Sequence, residues 1–191
     1  VPLPWPLRQR SLTRVQAIAR DATPTVGLTT ATTLEKMAPA LEQVAPLTDL
    51  RWLGTDHVPQ GMADRFSPGP ITGESIAILQ YTSGSTGTPK GVMLSHANLM
   101  HNSALISHCF EHTRSLRGVF WLPNFHDMGL VGGILQPIYV GAPNVLMSPV
   151  AFLQKPARWL EAISRHGGTT SGGPNFAYDL CVRKITPQQR R

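Results

Sequence analysis

Residues 81–91 constrain this chain more than any other stretch. They read Tyr81, Thr82, Ser83, Gly84, Ser85, Thr86, Gly87, Thr88, Pro89, Lys90, Gly91. Eleven positions hold three glycines, five Ser or Thr hydroxyls and one lysine. Apolar runs flank them, Ile76-Ala77-Ile78-Leu79 before and Val92-Met93-Leu94 after. The expectation is a polar loop between two buried strands, shaped to wrap a polyanion. Residues without Cβ atoms let backbone N–H groups approach phosphate oxygens, hydroxyls add donors, and the lysine adds charge.

The spacing excludes two phosphate loops and one nucleophile motif. A Walker loop carries glycine directly before its lysine and Ser or Thr after it; here Pro89 precedes Lys90 and Gly91 follows. The dinucleotide pattern G-x-G-x-x-G fails because Gly84, Gly87 and Gly91 are spaced three and four apart. No G-x-S-x-G elbow can be placed on Ser83, Ser85 or Ser171. A solvated Gly/Ser linker fits poorly between apolar runs and with Pro89 stiffening it.

Helical and strand patterns alternate along the chain. Helices are expected over residues 11–21 with Ser11 as N-cap, 33–44, 97–112 after Ser95, 128–139, 156–166 and 176–184. Strands are expected at 25–29, 51–53, 119–122, 144–147 and 169–171, with a Pro/Gly-rich connection over 59–73. This alternation predicts an α/β fold, a mostly parallel sheet with flanking helices.

The net charge of +6 invites a nucleic-acid reading, but the basic residues are scattered and only 7% of the chain is aromatic. Nucleic acid is therefore not expected as a partner. No apolar run reaches membrane-spanning length and no signal peptide is evident, so a cytoplasmic protein is expected. Cys109 and Cys181 show no metal spacing and read as buried or half-buried free thiols. His101, His108 and His112 fall on one expected helix and read as surface residues, with no metal site assigned.

Residues 81–91 resemble the phosphate loop of the adenylate-forming superfamily, which includes acyl-CoA synthetases, peptide-synthetase adenylation domains and luciferases. Val92-Met93-Leu94-Ser95-His96-Ala97-Asn98-Leu99 is similar to the continuation of that signature. Trp121-Leu122-Pro123-Asn124-Phe125-His126-Asp127-Met128-Gly129-Leu130, continued by Gly132-Gly133-Ile134-Leu135-Gln136-Pro137, resembles fatty acyl-AMP ligases in particular. Trp52-Leu53-Gly54-Thr55-Asp56 and Gly172-Gly173-Pro174-Asn175-Phe176-Ala177 add support. The resemblance implies that residues 1–191 are part of one AMP-binding domain, truncated at both ends.

It implies ATP-dependent activation of a fatty acid to an acyl-adenylate, for transfer to an acyl carrier protein or other phosphopantetheine-bearing domain. An acyl-CoA synthetase, an amino-acid adenylation domain and a non-catalytic nucleotide-binding remnant are the alternatives. Thr82, Ser83, Gly84, Ser85, Thr86, Gly87, Thr88 and Lys90 would hold the ATP phosphates. Lys90 and His126 are the catalytic candidates, while Asp127 reads as an N-cap for the following helix. That helix carries three glycines, each costing about 1 kcal/mol relative to alanine. An acyl chain or another backbone passing closely is one explanation, with Met128, Gly129, Gly132, Gly133 and Asn175 as the acyl-binding candidates; close helix–sheet packing is the other. The adenine, ribose and Mg2+ groups of the family have no counterpart here, and Leu53-Gly54-Thr55-Asp56 runs in the wrong order to replace the ribose motif. The metal ligand is expected outside this chain, and the 191 residues alone are expected to be inactive.

Overall fold

The computed structural model describes residues 1–3, 9–42, 44–82 and 89–190. Two compact units divide the chain, Leu3–His96 and Ala97–Arg191.

In the first unit, α1 (Gln9–Ala22) leads to β1 (Val26–Thr29), α2 (Ala31–Leu41) and β2 (Arg51–Gly54). Strands β1 and β2 pair in parallel, with Gly27 opposite Trp52, as a β–α–β connection requires. The helices cover that pair with Val15, Ala19, Met37 and Leu41, joined by Leu47. These recur three or four residues apart within each helix, the spacing of one buried face. Helix α1 begins before Ser11, so that serine lies inside the helix rather than at its cap. Asp56, in the motif that reads G-T-D, plays a structural part, for its Oδ1 accepts the Ala31 N–H at the start of α2, 2.7 Å away. That backbone hydrogen bond holds its carboxyl below the usual range.

Strands β3 (Ile76–Thr82) and β4 (Lys90–Ser95) form an antiparallel pair. The expectation of two buried strands is not met. Only Tyr81 is buried, while Ile76, Val92 and Met93 are exposed.

In the second unit, α3 (His96–Cys109) precedes β5 (Gly118–Phe120), a π-helix (Met128–Leu135), α4 (Gln136–Val140) and β6 (Asn144–Leu146). Helices α5 (Pro149–Gln154), α6 (Ala157–His166) and α7 (Asn175–Lys184) follow. Strands β5 and β6 are parallel, and residues 169–171 contribute a single parallel bridge, Thr170 to Gly118, instead of a full strand. The core is aromatic. Trp121 stacks on Phe152 at 3.9 Å between ring centres, and Trp159 meets both rings edge-on. Val119 and Ala177 close the cluster. Offset and edge-on ring contacts add about 0.5–1.5 kcal/mol per pair beyond area burial, so few aromatic residues suffice when they meet here. Cys109 is exposed, contrary to the sequence expectation, and Cys181 is half-buried. Among the described residues no helix is long and apolar enough to cross a membrane.

Candidate functional site

The glycine-rich segment has its stem in the first unit. Thr82 ends β3 and Lys90 opens β4; the two pair directly and both are exposed. Ser83, Gly84, Ser85, Thr86, Gly87 and Thr88 lie outside the described residues. Just below the Thr82–Lys90 pair, the stem is fastened to α1. The Tyr81 hydroxyl donates to Oδ2 of Asp21 at 2.5 Å, and Arg14 Nη2 donates to the Tyr81 carbonyl at 3.3 Å. Burial, then the Asp21 hydrogen bond and charge, push the Tyr81 phenol up to about 12. Gly91 sits opposite Tyr81 in the ladder, and a Cβ there would lie 2.8 Å from Cζ of the ring. Gly91 therefore makes room for a side chain. No pattern in the sequence names Asp21 or Arg14 as its partners, because the link spans 60 residues or more.

The second motif begins where β5 ends. His126 N–H donates to the Pro123 carbonyl, and Leu130 N–H to that of His126, turning the chain into the helix. Asp127 caps it as expected: its Oδ1 accepts the Met128 N–H at 2.8 Å and lies 2.5 Å from His126 Nδ1. Both side chains are exposed.

Residues Met128–Leu135 form a π-helix rather than the α-helix suggested by their apolar spacing. Its wider turn is plain at the end, where Gln136 N–H reaches back five residues to the Val131 carbonyl. Pro137 has no N–H to offer the Gly133 carbonyl four residues earlier; Nδ2 of Asn144 on β6 bonds that carbonyl instead, at 2.5 Å.

A cavity of about 590 Å³ opens beside this helix. Ile106, Phe110, Phe120, Met128 and Val131 supply much of its apolar wall, with Gly132, Gly172 and Gly173 among the lining residues. The three helix glycines divide between the two explanations. A Cβ on Gly129 would overlap the Pro123 carbonyl oxygen, so this glycine permits a backbone to pass. Gly133 faces Phe120 of β5, where a Cβ would lie 3.4 Å from Phe120 Cβ, an ordinary contact, so this position packs against the sheet without demanding glycine. Gly132 faces open space and lines the cavity. Asn175 is exposed at the start of α7 and is not among the lining residues.

Sequence reasoning missed the polar part of the wall. Gln136, half-buried His112 and Thr170 all line the cavity. His112 lies beyond the end of α3, and burial pushes its imidazole below the ordinary histidine range. It is therefore not the surface residue that helical spacing suggested. Among the described residues, no three His, Cys, Asp or Glu side chains gather to hold a metal. The Mg2+ expected by resemblance finds no ligand set there.

Comparison with known proteins places these features in a family. The model of the AMP-binding enzyme family matches residues 6–191. A medium-chain-fatty-acid–[acyl-carrier-protein] ligase of Moorena producens is 41% identical over 191 residues, 99% of this chain and 32% of its own length. The crystal structure of a fatty acid AMP ligase from Legionella pneumophila superposes with a TM-score of 0.92 at 38% identity, over 100% of this chain and 33% of that one. A fatty acyl-adenylate ligase of the same organism, in complex with acyl adenylate and pyrophosphate, gives 0.86 at 38% identity, over 94% and 31%. The chain thus spans about a third of the length of these relatives.

Proposed function

The chain belongs to the AMP-binding enzyme family, and from that premise we propose that it is part of an enzyme that activates a fatty acid with ATP. The products are an acyl-adenylate and pyrophosphate, and the acyl group then passes to the phosphopantetheine thiol of a carrier protein. The observation that carries this reading is the cavity beside the π-helix, apolar along Ile106, Phe110, Phe120, Met128 and Val131. Its volume falls within the range of small-molecule sites, about 300–1,000 Å³. Such a wall suits an alkyl chain better than a polar amino-acid side chain.

In the reaction, a carboxylate oxygen attacks the α-phosphorus in line, a new P–O bond forms, and the bond to pyrophosphate breaks. Catalysis then depends on positioning and on neutralising the triphosphate. Lys90 would stabilise charge on the departing pyrophosphate. Thr82, Ser83, Ser85, Thr86 and Thr88, with the amides of Gly84 and Gly87, would hold its oxygens. His126, bonded to Asp127 at the head of the π-helix, would offer a donor near the carboxylate. Thiol attack on the acyl carbonyl carbon would then expel AMP. No step is assigned to magnesium, for which the described residues offer no ligand cluster.

The test is ATP–pyrophosphate exchange by the intact protein, followed by offering a holo-carrier protein or coenzyme A. Exchange that requires a fatty acid, with acyl transfer to the carrier, is the expected result. Exchange with amino acids alone, or with no acid at all, would sink the reading.

A further inference from the structure

Gln136 is the first residue of α4 and one of the most deeply buried in the chain, with 1% of its surface exposed. Its Nε2 donates to Ser107 Oγ at 2.9 Å and lies 3.4 Å from Nδ1 of His112. The other ring nitrogen of His112 lies 3.3 Å from Thr170 Oγ1. The amide oxygen of Gln136 has no hydrogen-bond partner among the described residues. A buried acceptor left unpaired loses its hydration with nothing in return. A cavity meant only for methylene groups would avoid that cost with leucine or methionine at the same place.

The protonation pattern follows from the contacts. Burial favours neutral His112. With Nδ1 facing the Gln136 amide hydrogens, Nε2 carries the ring proton and donates to Thr170 Oγ1. The hydroxyl hydrogen of Thr170 is then left for another acceptor. The wall accordingly presents one acceptor, on Gln136, and one donor, on Thr170. A hydroxyl group, donor and acceptor at once, complements the pair.

We propose that this wall recognises a hydroxyl carried on the acyl chain, so that the preferred substrate is a hydroxylated fatty acid rather than a plain one. The proposal rests on the fatty-acid reading above and sharpens its substrate class. Gln136 would accept the substrate hydroxyl hydrogen while Thr170 donates to its oxygen. His112 and Ser107 act as positioning residues that hold the Gln136 amide in place. An ordered water is the competing occupant of such a polar site, and it predicts no substrate preference.

The experiment compares ATP–pyrophosphate exchange by the intact protein on plain fatty acids and on monohydroxy acids of equal length, the hydroxyl moved along the chain. At one position the hydroxy acid should exceed its plain counterpart at least about tenfold in kcat/KM, the worth of one satisfied hydrogen bond. Gln136→Leu should reverse the preference by a similar factor, and Thr170→Val should weaken it. No gain at any hydroxyl position in the unmodified protein overturns the proposal, and that measurement needs no variant to fold. A preference that survives Gln136→Leu overturns it as well. Absence of exchange with every acid is a different failure, which removes the adenylation reading and this proposal with it.

Discussion

In the first unit, a phenol, a carboxylate and a guanidinium, from Tyr81, Asp21 and Arg14, fasten the strand that leads into the glycine-rich segment. In the second, a glycine-rich helix is held by close backbone approach, Gly129 lying against the Pro123 carbonyl. The glycines mean different things in the two places. Gly91 leaves room for a side chain that fastens the stem, whereas Gly129 lets one backbone lie against another. A polar clamp can be weakened one atom at a time. A backbone contact in a packed interior has no smaller version, because close-packed cores transmit strain.

The largest effect should come from the first unit, without any loss of fold. Lys90 is exposed at the mouth of the stem, so Lys90→Ala should leave stability nearly unchanged. ATP–pyrophosphate exchange in the intact protein should fall about 100- to 1,000-fold, the usual consequence of removing one donor to a developing anion. Unchanged exchange would remove Lys90 from the phosphate site.

In the second unit the order reverses, with stability lost first. Gly129→Ala drives a methyl group into the Pro123 carbonyl oxygen, and should cost about 3 kcal/mol in denaturant unfolding followed by tryptophan fluorescence. Gly132→Ala meets nothing within 4 Å and should change stability by no more than about 1 kcal/mol, in the stabilising direction. Equal effects from the two would break the contrast.

Gly132 also tests the cavity. Gly132→Leu should lower kcat/KM for longer fatty acids about tenfold while sparing short ones, since filling a cavity excludes methylenes. Gly133→Leu should instead disturb packing against Phe120. A chain-length profile left intact by Gly132→Leu would move the acyl chain elsewhere.

These contrasts also mark what the sequence could say. A phosphate loop could be proposed from the glycines, hydroxyls and lysine of residues 81–91 because that chemistry is local; the structure describes its stem, Thr82 paired with Lys90. Asp127 as a cap was legible for the same reason, its partner being the next residue. The clamp on Tyr81 was not, because burial and a partner 60 residues away create it. The π-helix escaped because apolar spacing cannot distinguish a four-residue from a five-residue backbone step; Pro137 and Asn144 jointly settle the local bonding. His112 was misjudged for a related reason. Helical spacing extended α3 to include it, whereas the helix ends at Cys109 and the chain turns His112 towards Gln136 and Thr170.

A further effect, smaller than those of Lys90→Ala and Gly129→Ala, is the most diagnostic of the clamp. Tyr81→Phe keeps the ring against Gly91 and removes only the hydroxyl that donates to Asp21. The expected cost is about 1.5 kcal/mol, in the range for a hydrogen bond to a charged group, with a modest rise in KM for ATP. The pH dependence gives an independent handle. The Tyr81 phenol is raised above its ordinary value of 10.0 to about 12, so the folded state holds that proton more tightly than the unfolded one. Its contribution is complete below about pH 10 and disappears as the pH climbs towards about 12. Ultraviolet difference titration of the protein against Tyr81→Phe should therefore show a late component that the variant lacks. Asp21→Asn should bring that component to lower pH, since it removes the neighbouring charge while leaving the ring buried. If the late component survives Tyr81→Phe, the stem is not held by this hydrogen bond, and the difference between the two units reduces to packing alone.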